Sequence, residues 1–400
     1  MIGDIYSFLK ANFGLIPSIV ALIAMHYMVG GITVLSNVFL VIVYIVSLFS
    51  ITYSLNFSFD KKWLYYLLYL PFTIILAQPD GVFKSWSRLA LFMLLFLAMS
   101  PVIHSEKAIN FREKCFNMAM LIAFVLSFGS FFAYFLGVNL FRPDELEYLS
   151  GVPGIFSGLT KQSMMLAPIS GLSSIYLFYQ GVIRKKRWCW IFFLPCMGSL
   201  LFSASRSAFG ATIIGLLGVL FYAYADKKLF VKHLFYIVLV TLLTLPLWEG
   251  ATVALVKKHT MHKNDTELFD SRSVKYKARI EEFVSSPIWG VGFAAIDESG
   301  KDKFNKKTGT IEPGSSWLCV LSMTGLIGFL FFVYLMWQTF FITTNIEDVF
   351  LVGFLLFFFV HFLAEGYVFA AGSPTAFLCW IIIGHCYDKK YDIEDSPNND

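Results

Sequence analysis

The sequence predicts an all-α integral membrane protein: a bundle of about twelve transmembrane helices with one large loop outside the bilayer. Three observations carry this. The 400 residues are 57% hydrophobic and only 14% charged, with a mean hydropathy of +0.68, whereas a soluble domain is about 25% charged. Apolar runs of roughly 17–25 residues recur along the whole chain, the length needed to cross about 30 Å of hydrocarbon. The alternating strands of about ten residues that would mark a barrel do not occur.

Hydropathy places the spans at 12–29, 32–55, 63–77, 89–103, 116–137, 162–182, 188–203, 207–224, 234–250, 316–342, 349–364 and 375–387. The first is expected to be a retained helix, since no basic leader or small-residue cleavage site precedes it. The expected organisation is nine helices in 1–250, a large loop with short helices in 251–315, three helices in 316–390 and a tail at 391–400. No repeat or low-complexity linker divides the membrane part. The six cysteines lie in or beside apolar runs without metal-ligand spacing, and so read as packing residues.

Lys and Arg in short loops set the expected orientation. One alternate set of loops carries Lys61, Lys62, Lys107, Arg112, Lys114, the RKKR at 184–187, Lys227, Lys228, Lys232, Lys389 and Lys390. The other set, apart from the long loop, has only Lys84, Arg88, Arg142, Lys161 and Arg206. The richer set is expected in the cytoplasm with both termini. Segment 251–315 and the loops at 78–88, 138–161 and 365–374 then lie outside.

Arg206 stands between two apolar runs, flanked by Ser203, Ser205 and Ser207. A helix start offers free N–H groups and partial positive charge. With an arginine fork and serines it makes a plausible phosphate cradle; a snorkelling interfacial arginine is the alternative. Within the long loop, DSRSVKYKARIEEFVSSP reads as a helix capped at Asp270 or Ser271 and stopped by Ser286-Pro287. Arg272, Lys275 and Arg279 share one face, with Tyr276, Ile280, Phe283 and Pro287 near another. The basic stripe is either a solvated face balanced by Glu281 and Glu282, or faces a cavity while the apolar stripe meets the bundle or the membrane interface. Gly290 and Gly292 mark a turn after it. His259 and His262 are spaced i, i+3 without a convincing third ligand, so no metal site is expected. Either could act as a base near neutral pH, as could Glu249, Glu312 or Glu365. His26, His361 and His385 read as packing or helix-end residues. Phosphate-binding loops, dinucleotide fingerprints and hydrolase elbows are missing from the sequence. The small net charge of +4 disfavours nucleic acid as a partner.

Three stretches in this order, SASRSAFGATIIGLLGVL (203–220), DSRSVKYKARIEEFVSSPIWGVGFAA (270–295) and EPGSSWLCVLSMTGLIGFLFF (312–332), resemble the O-antigen ligase and polymerase superfamily of bacterial envelopes. The resemblance covers about 200 to 345. It implies an inner-membrane enzyme whose site faces the periplasm, so that the large loop is periplasmic. It implies transfer of a glycan from an undecaprenyl diphosphate carrier to an acceptor glycan-lipid, without metal or other cofactor. The implied partners are that carrier-linked glycan, the acceptor, membrane lipids and, for a polymerase, a chain-length regulator. Arg206 matches the family's Ser-Arg arginine and Arg272 the arginine opening the helix before Pro-x-x-Gly-x-Gly; Arg279 is a third candidate ligand for the diphosphate. Many ligases carry His-Asn, their proposed base, where this chain has Gly314-Ser315. That departure favours a polymerase over a ligase. It leaves Glu312, His259 and His262 as candidate catalytic bases. A lipid-linked glycan flippase is a third reading, disfavoured because the charges gather at the outer edge rather than pairing at the midplane.

Overall fold

A computed structural model describes residues 12–32, 35–53, 55–140, 156–224, 227–233, 235, 270–296 and 314–394. The regular structure of the described residues is helical, apart from one two-residue antiparallel ladder in which Ser58 pairs with His104 and Phe59 with Ile103, and an isolated antiparallel bridge between Val29 and Thr160. The helices are α1 (Leu15–Met25), α2 (Asn37–Thr52), α3 (Lys61–Ala77), α4 (Ser85–Met99), α5 (Glu106–Phe135), α6 (Ser163–Val182), α7 (Cys189–Phe202), α8 (Arg206–Ala223), α9 (Asp270–Ser285), α10 (Ser316–Thr344), α11 (Phe350–Ala364) and α12 (Pro374–Glu394). Every predicted span coincides with one of these helices except 234–250, which lies outside the described residues apart from Phe235. Three of them, α5, α8 and α10, are both long and apolar enough to cross a membrane, and several others are shorter apolar helices.

Two boundaries differ from expectation. Helix α5 starts at Glu106, well before the apolar run, because Ser105 caps it by accepting the N–H of Ala108 at 3.0 Å. Helix α12 runs on to Glu394, past the predicted start of a tail at 391.

The ends of the bundle are distinct. At one, here the base, Asp60 N–H donates to the Val102 carbonyl at 2.9 Å beside the short ladder. Arg184 reaches Asp348 at 3.4 Å. Also at the base, the Arg112 guanidinium grips Asp388 from two nitrogens (2.7 and 2.5 Å) and donates to the carbonyls of Ser100 and Ile103. Both partners are buried. Arg112 was expected in a loop as an orientation charge; it is instead a core residue of α5, because α12 brings a carboxylate to it. At the other end, the rim, Lys161 N–H donates to the Met28 carbonyl and Gly30 N–H to that of Leu159. The segment 286–296 packs there onto α3 and α10. Loops predicted on the same side of the membrane therefore meet at the same end of the bundle.

Small residues let the central helices approach closely, as in other membrane bundles. A Cβ on Gly215 would stand 2.8 Å from the Gly353 carbonyl oxygen, and one on Gly171 would meet Thr212 and Phe357. These contacts make α8 and α11 antiparallel neighbours. All six cysteines are free and buried, packed as their apolar context implied. His361 and His385 are buried and stacked on Phe357 and Phe116.

Candidate functional site at the rim

Helix α10 is broken at Gly325, whose φ of 65° and ψ of −172° belong to glycine alone. Into this break the turn after α9 is inserted. The freed Leu326 N–H donates to the Pro287 carbonyl at 2.8 Å, and Val291 N–H donates to the freed Ser322 carbonyl at 2.9 Å. Tyr69 of α3 donates its hydroxyl to the Thr324 carbonyl at 2.8 Å. Interrupted backbone at membrane depth persists only where such partners exist. Gly290 must also lack a side chain: a Cβ there would lie 2.6 Å from Gly325 N. The turn is anchored by Phe293, fully buried against Phe92 and Phe369, with its N–H donating to Thr73 Oγ1 at 3.0 Å. Gly290 and Gly292 thus hold α9 to the bundle through close backbone packing.

Helix α9 meets α10 with its charged side. Arg279 is 6% exposed and Glu282 3%, and the arginine's Nη2 donates to Glu282 Oε1 at 2.5 Å. Ile280, Val284 and Ile288 point away and are 49%, 69% and 53% exposed. The expected apolar stripe is therefore split: Ile280 and Pro287 are exposed, Phe283 is half-buried, and Tyr276 reaches the bundle at the Leu363 carbonyl. Lys277 and Glu281, 3.9 Å apart, remain on the open surface. Burial of Arg279 with Glu282 corrects the solvated-face reading for that pair. Removing the carboxylate by Glu282→Ala leaves a guanidinium stranded at the α9–α10 contact, so a loss of about 3 kcal/mol is expected. Thermal unfolding in detergent measures it, and a melting temperature within a degree of wild type would contradict it.

At the start of α10, Gly314 has φ +76°, and a Cβ on it would stand 2.9 Å from Lys275 Cβ of α9. A histidine cannot replace it without moving α9. Next to it, Ser315 Oγ donates to the Phe362 carbonyl at 2.8 Å. The Ser316 hydroxyl donates to the Glu365 carbonyl at 2.7 Å and accepts the Tyr367 N–H at 3.1 Å. Tyr276 of α9 donates to the Leu363 carbonyl. The starts of α9 and α10 and the end of α11 are thereby stapled together. Tyr367 OH and His361 Nδ1 share a hydrogen bond of 2.8 Å. Burial, with lesser effects of Cys379 and Glu365, raises the Tyr367 phenol well above its ordinary range, so it stays protonated.

Arg206 is the first residue of α8, with Ser205 as its N-cap accepting the Ala208 N–H at 3.4 Å. Antiparallel packing of α8 on α11 puts it at the end where α11 finishes, beside the staple. Its side chain is exposed, with no hydrogen-bond or ion-pair partner among the described residues. A cation fork at an open helix start is suited to an anion arriving from outside. Arg272 lies in the first turn of α9, but its side chain is outside the described part, and Glu312, His259 and His262 are outside the described residues altogether. Of the carboxylates weighed as bases, Glu365 is described, half-buried at the end of α11. Among the described residues, no group of His, Cys, Asp and Glu is placed to hold a metal.

Residues 190–333 match the family model described as O-antigen ligase. This segment carries the domain of the O-antigen ligase and polymerase superfamily. No curated protein matches the chain. The O-antigen ligase domain begins inside α7 and ends within α10, so Arg206, Arg272, Arg279, Glu312, His259 and His262 all fall in it, along with the inserted turn and the broken helix. Sequence reasoning found the arginines and the Gly-x-Gly turn of this domain. It missed Gly325, whose role shows only with its partner Gly290, and it missed the Arg279–Glu282 pair, which depends on α10 standing alongside.

Proposed function

We propose that the rim faces the periplasm and transfers a glycan from an undecaprenyl diphosphate carrier, joining repeat units of a surface polysaccharide such as O-antigen. The observation that carries this reading is Arg206: an exposed guanidinium with no partner among the described residues, at a helix start inside the matched domain. In the reaction the acceptor's hydroxyl oxygen forms a bond to the anomeric carbon of the donor glycan. The bond from that carbon to the diphosphate oxygen breaks, and the diphosphate leaves with the electron pair. Negative charge grows on the leaving group, so a fixed arginine and aligned amides stabilise the transition state more than the ground state. Arg272, one α9 turn away from the Gly314 crossing, is the second ligand of this diphosphate. Arg279, tied to Glu282, acts at one remove by fixing α9. The hydroxyl proton goes to a carboxylate or imidazole, for which Glu312, His259 and His262 are the candidates, since arginine stays protonated.

Polymerisation is favoured over ligation by Gly314, which supplies no histidine and whose Cβ space is taken by Lys275. The family description favours ligation, so both readings go into one test. In a strain lacking the gene, full-length protein restores the surface glycan, which is resolved on a gel. Loss of the ladder with a single unit still attached to core identifies a polymerase, and loss of all attachment identifies a ligase. Accumulation of carrier-linked unit on the cytoplasmic side identifies a flippase. Arg206→Ala is expected to lower chain growth by about 100-fold or more at unchanged membrane level. Arg206→Lys should restore it in part only, because lysine lacks the planar fork. A near-normal ladder in Arg206→Ala refutes the diphosphate role.

A further inference from the structure

Between α3 and α4 the rim holds a cleft of about 600 Å³, lined by Gln78, Asp80, Lys84, Ser85, Trp86 and Ser87 among others. It lies outside the matched domain but is tied to it. Pro79 meets Gly292, and Phe83 forms a small buried cluster with Ala295 and Ile296. The segment that seats α9 is therefore also a support of this cleft.

Its wall is the start of α4, which is left uncapped. Lys84 occupies the N-cap position in a left-handed conformation (φ 50°) and makes no side-chain cap bond. The first regular bond there runs from Arg88 N–H to the Lys84 carbonyl, so the amides of Ser85, Trp86 and Ser87 have no backbone acceptor. An independent observation points to a ligand. Ser85 is only 5% exposed, lines the cleft, and its hydroxyl has no hydrogen-bond partner. A buried hydroxyl left unmatched costs about 1–3 kcal/mol unless something binds it. Free amides, a hydroxyl and the single Lys84 ammonium together make a donor-rich wall, suited to phosphate oxygens. The remaining lining suits a sugar. Asp80, the acid of the cleft, repels an anion placed against it but accepts from sugar hydroxyls, as Gln78 does, and Trp86 offers an indole face that is 55% exposed. Ile75 also lines the cleft, and Phe72 and Leu76 beside it on α3 are exposed, so the cleft opens along an apolar helix side.

Phosphate, saccharide and an apolar flank describe one chemical class, a phosphorylated lipid-linked glycan. The reaction proposed above needs two such molecules, and Arg206 on α8 accounts for one. We propose that the α3–α4 cleft holds the phosphate of the second, the acceptor, separately from the donor's site at Arg206. This rests on the glycan-transfer reading. The acceptor's phosphate comes from a second carrier lipid in a polymerase and from lipid A-core in a ligase.

The test uses the full chain in nanodiscs of phosphatidylcholine, counting bound undecaprenyl diphosphate by native mass spectrometry, with lipid A as the alternative probe. Two variants remove the wall without removing structural bonds: Ser85→Ala deletes an unpartnered hydroxyl, and Lys84→Gly relieves a left-handed backbone while deleting the charge. Both should melt at or above the wild-type temperature. Wild type should take two molecules in all. The double variant should take one, with affinity for the second weakened roughly ten-fold or more, while Arg206→Ala should lose the other. If undecaprenyl diphosphate never binds twice but lipid A fills the place lost in the double variant, the cleft stands and the acceptor is of the ligase kind. Unchanged stoichiometry in the double variant overturns the cleft while leaving the Arg206 reading intact. Equal competition by phosphatidylglycerol makes it a general anionic-lipid site and also overturns it. If Arg206→Ala keeps both molecules, the donor reading falls and the inference resting on it falls with it; loss of just one in the double variant then leaves only a lipid site.

Discussion

Gly325→Ala is expected to yield little folded protein. Its φ and ψ lie where only glycine rests, a strain of about 1–3 kcal/mol for another residue. The new methyl would also press onto the Ile288 carbonyl and stand 2.6 Å from Trp289 N. Overpacking of this kind adds about 1–3 kcal/mol. The neighbouring backbone cannot yield cheaply, because Leu326 N–H and the Ser322 carbonyl depend on Pro287 and Val291 for their partners. If α10 closed into a regular helix instead, the inserted turn would lose its seat, and with it the anchor of α9. Gly290→Ala should behave alike, since the two glycines face each other. Gly210→Ala is the control: it sits inside α8 with open space around its Cβ position and should stabilise by about 1 kcal/mol through helix propensity. Yield of monodisperse protein and melting temperature in detergent decide the matter. Wild-type behaviour of Gly325→Ala would mean that the break is not needed.

Asp388→Ala should be nearly as damaging, at the opposite end. Arg112 would keep its two backbone acceptors, Ser100 and Ile103, but lose both bonds to the carboxylate. With both side chains almost fully enclosed, stranding the guanidinium costs about 3–5 kcal/mol. Replacing both members by apolar residues of similar volume (Arg112→Met with Asp388→Leu) should recover most of that, because the cost lies in the uncompensated charge. A double variant no more stable than Asp388→Ala would show that the pair itself is indispensable. Chain growth should follow stability in this series, since the clamp is remote from the rim.

How far the sequence reveals these features depends on whether a signal is local. Hydropathy alone places the apolar helices, because a run of apolar residues is legible whatever surrounds it. The helix at Asp270–Ser285 and the start of α8 at Arg206 are legible for the same reason: caps, stops and periodicity are written within a few residues. Gly325 is not. Glycine is common inside membrane helices, and nothing near it announces that the backbone of Ile288 and Trp289 will occupy its missing side chain's place. Arg112 reads as a loop charge until α12 supplies Asp388. Arg279 and Glu282 read as an ordinary solvated pair until α10 covers them. The cleft between α3 and α4 gives no sign either, since Lys84 and Ser85 are unremarkable in sequence and become a wall only through an uncapped helix start. At the candidate site, the helix start at Arg206 and the Gly-x-Gly turn are legible in the sequence. The base remains a choice among Glu312, His259 and His262, which lie outside the described residues.

The placement of α9 has a mechanical consequence. A helix in water turns its charges outward, but this one turns Arg279 and Glu282 inward and presents Ile280 and Val284, beside Lys277 and Glu281, to its surroundings. An apolar face of this kind at a membrane surface would set the helix's height by the oil–water boundary as much as by its neighbours. Through Tyr276 and the inserted turn, that height is passed to the ends of α10 and α11, beside the first residue of α8. On the glycan-transfer reading proposed above, this would hold the guanidinium of Arg206 level with the boundary at which a long-chain lipid presents its ionic head, and the bilayer itself would help to gauge the working depth of the rim.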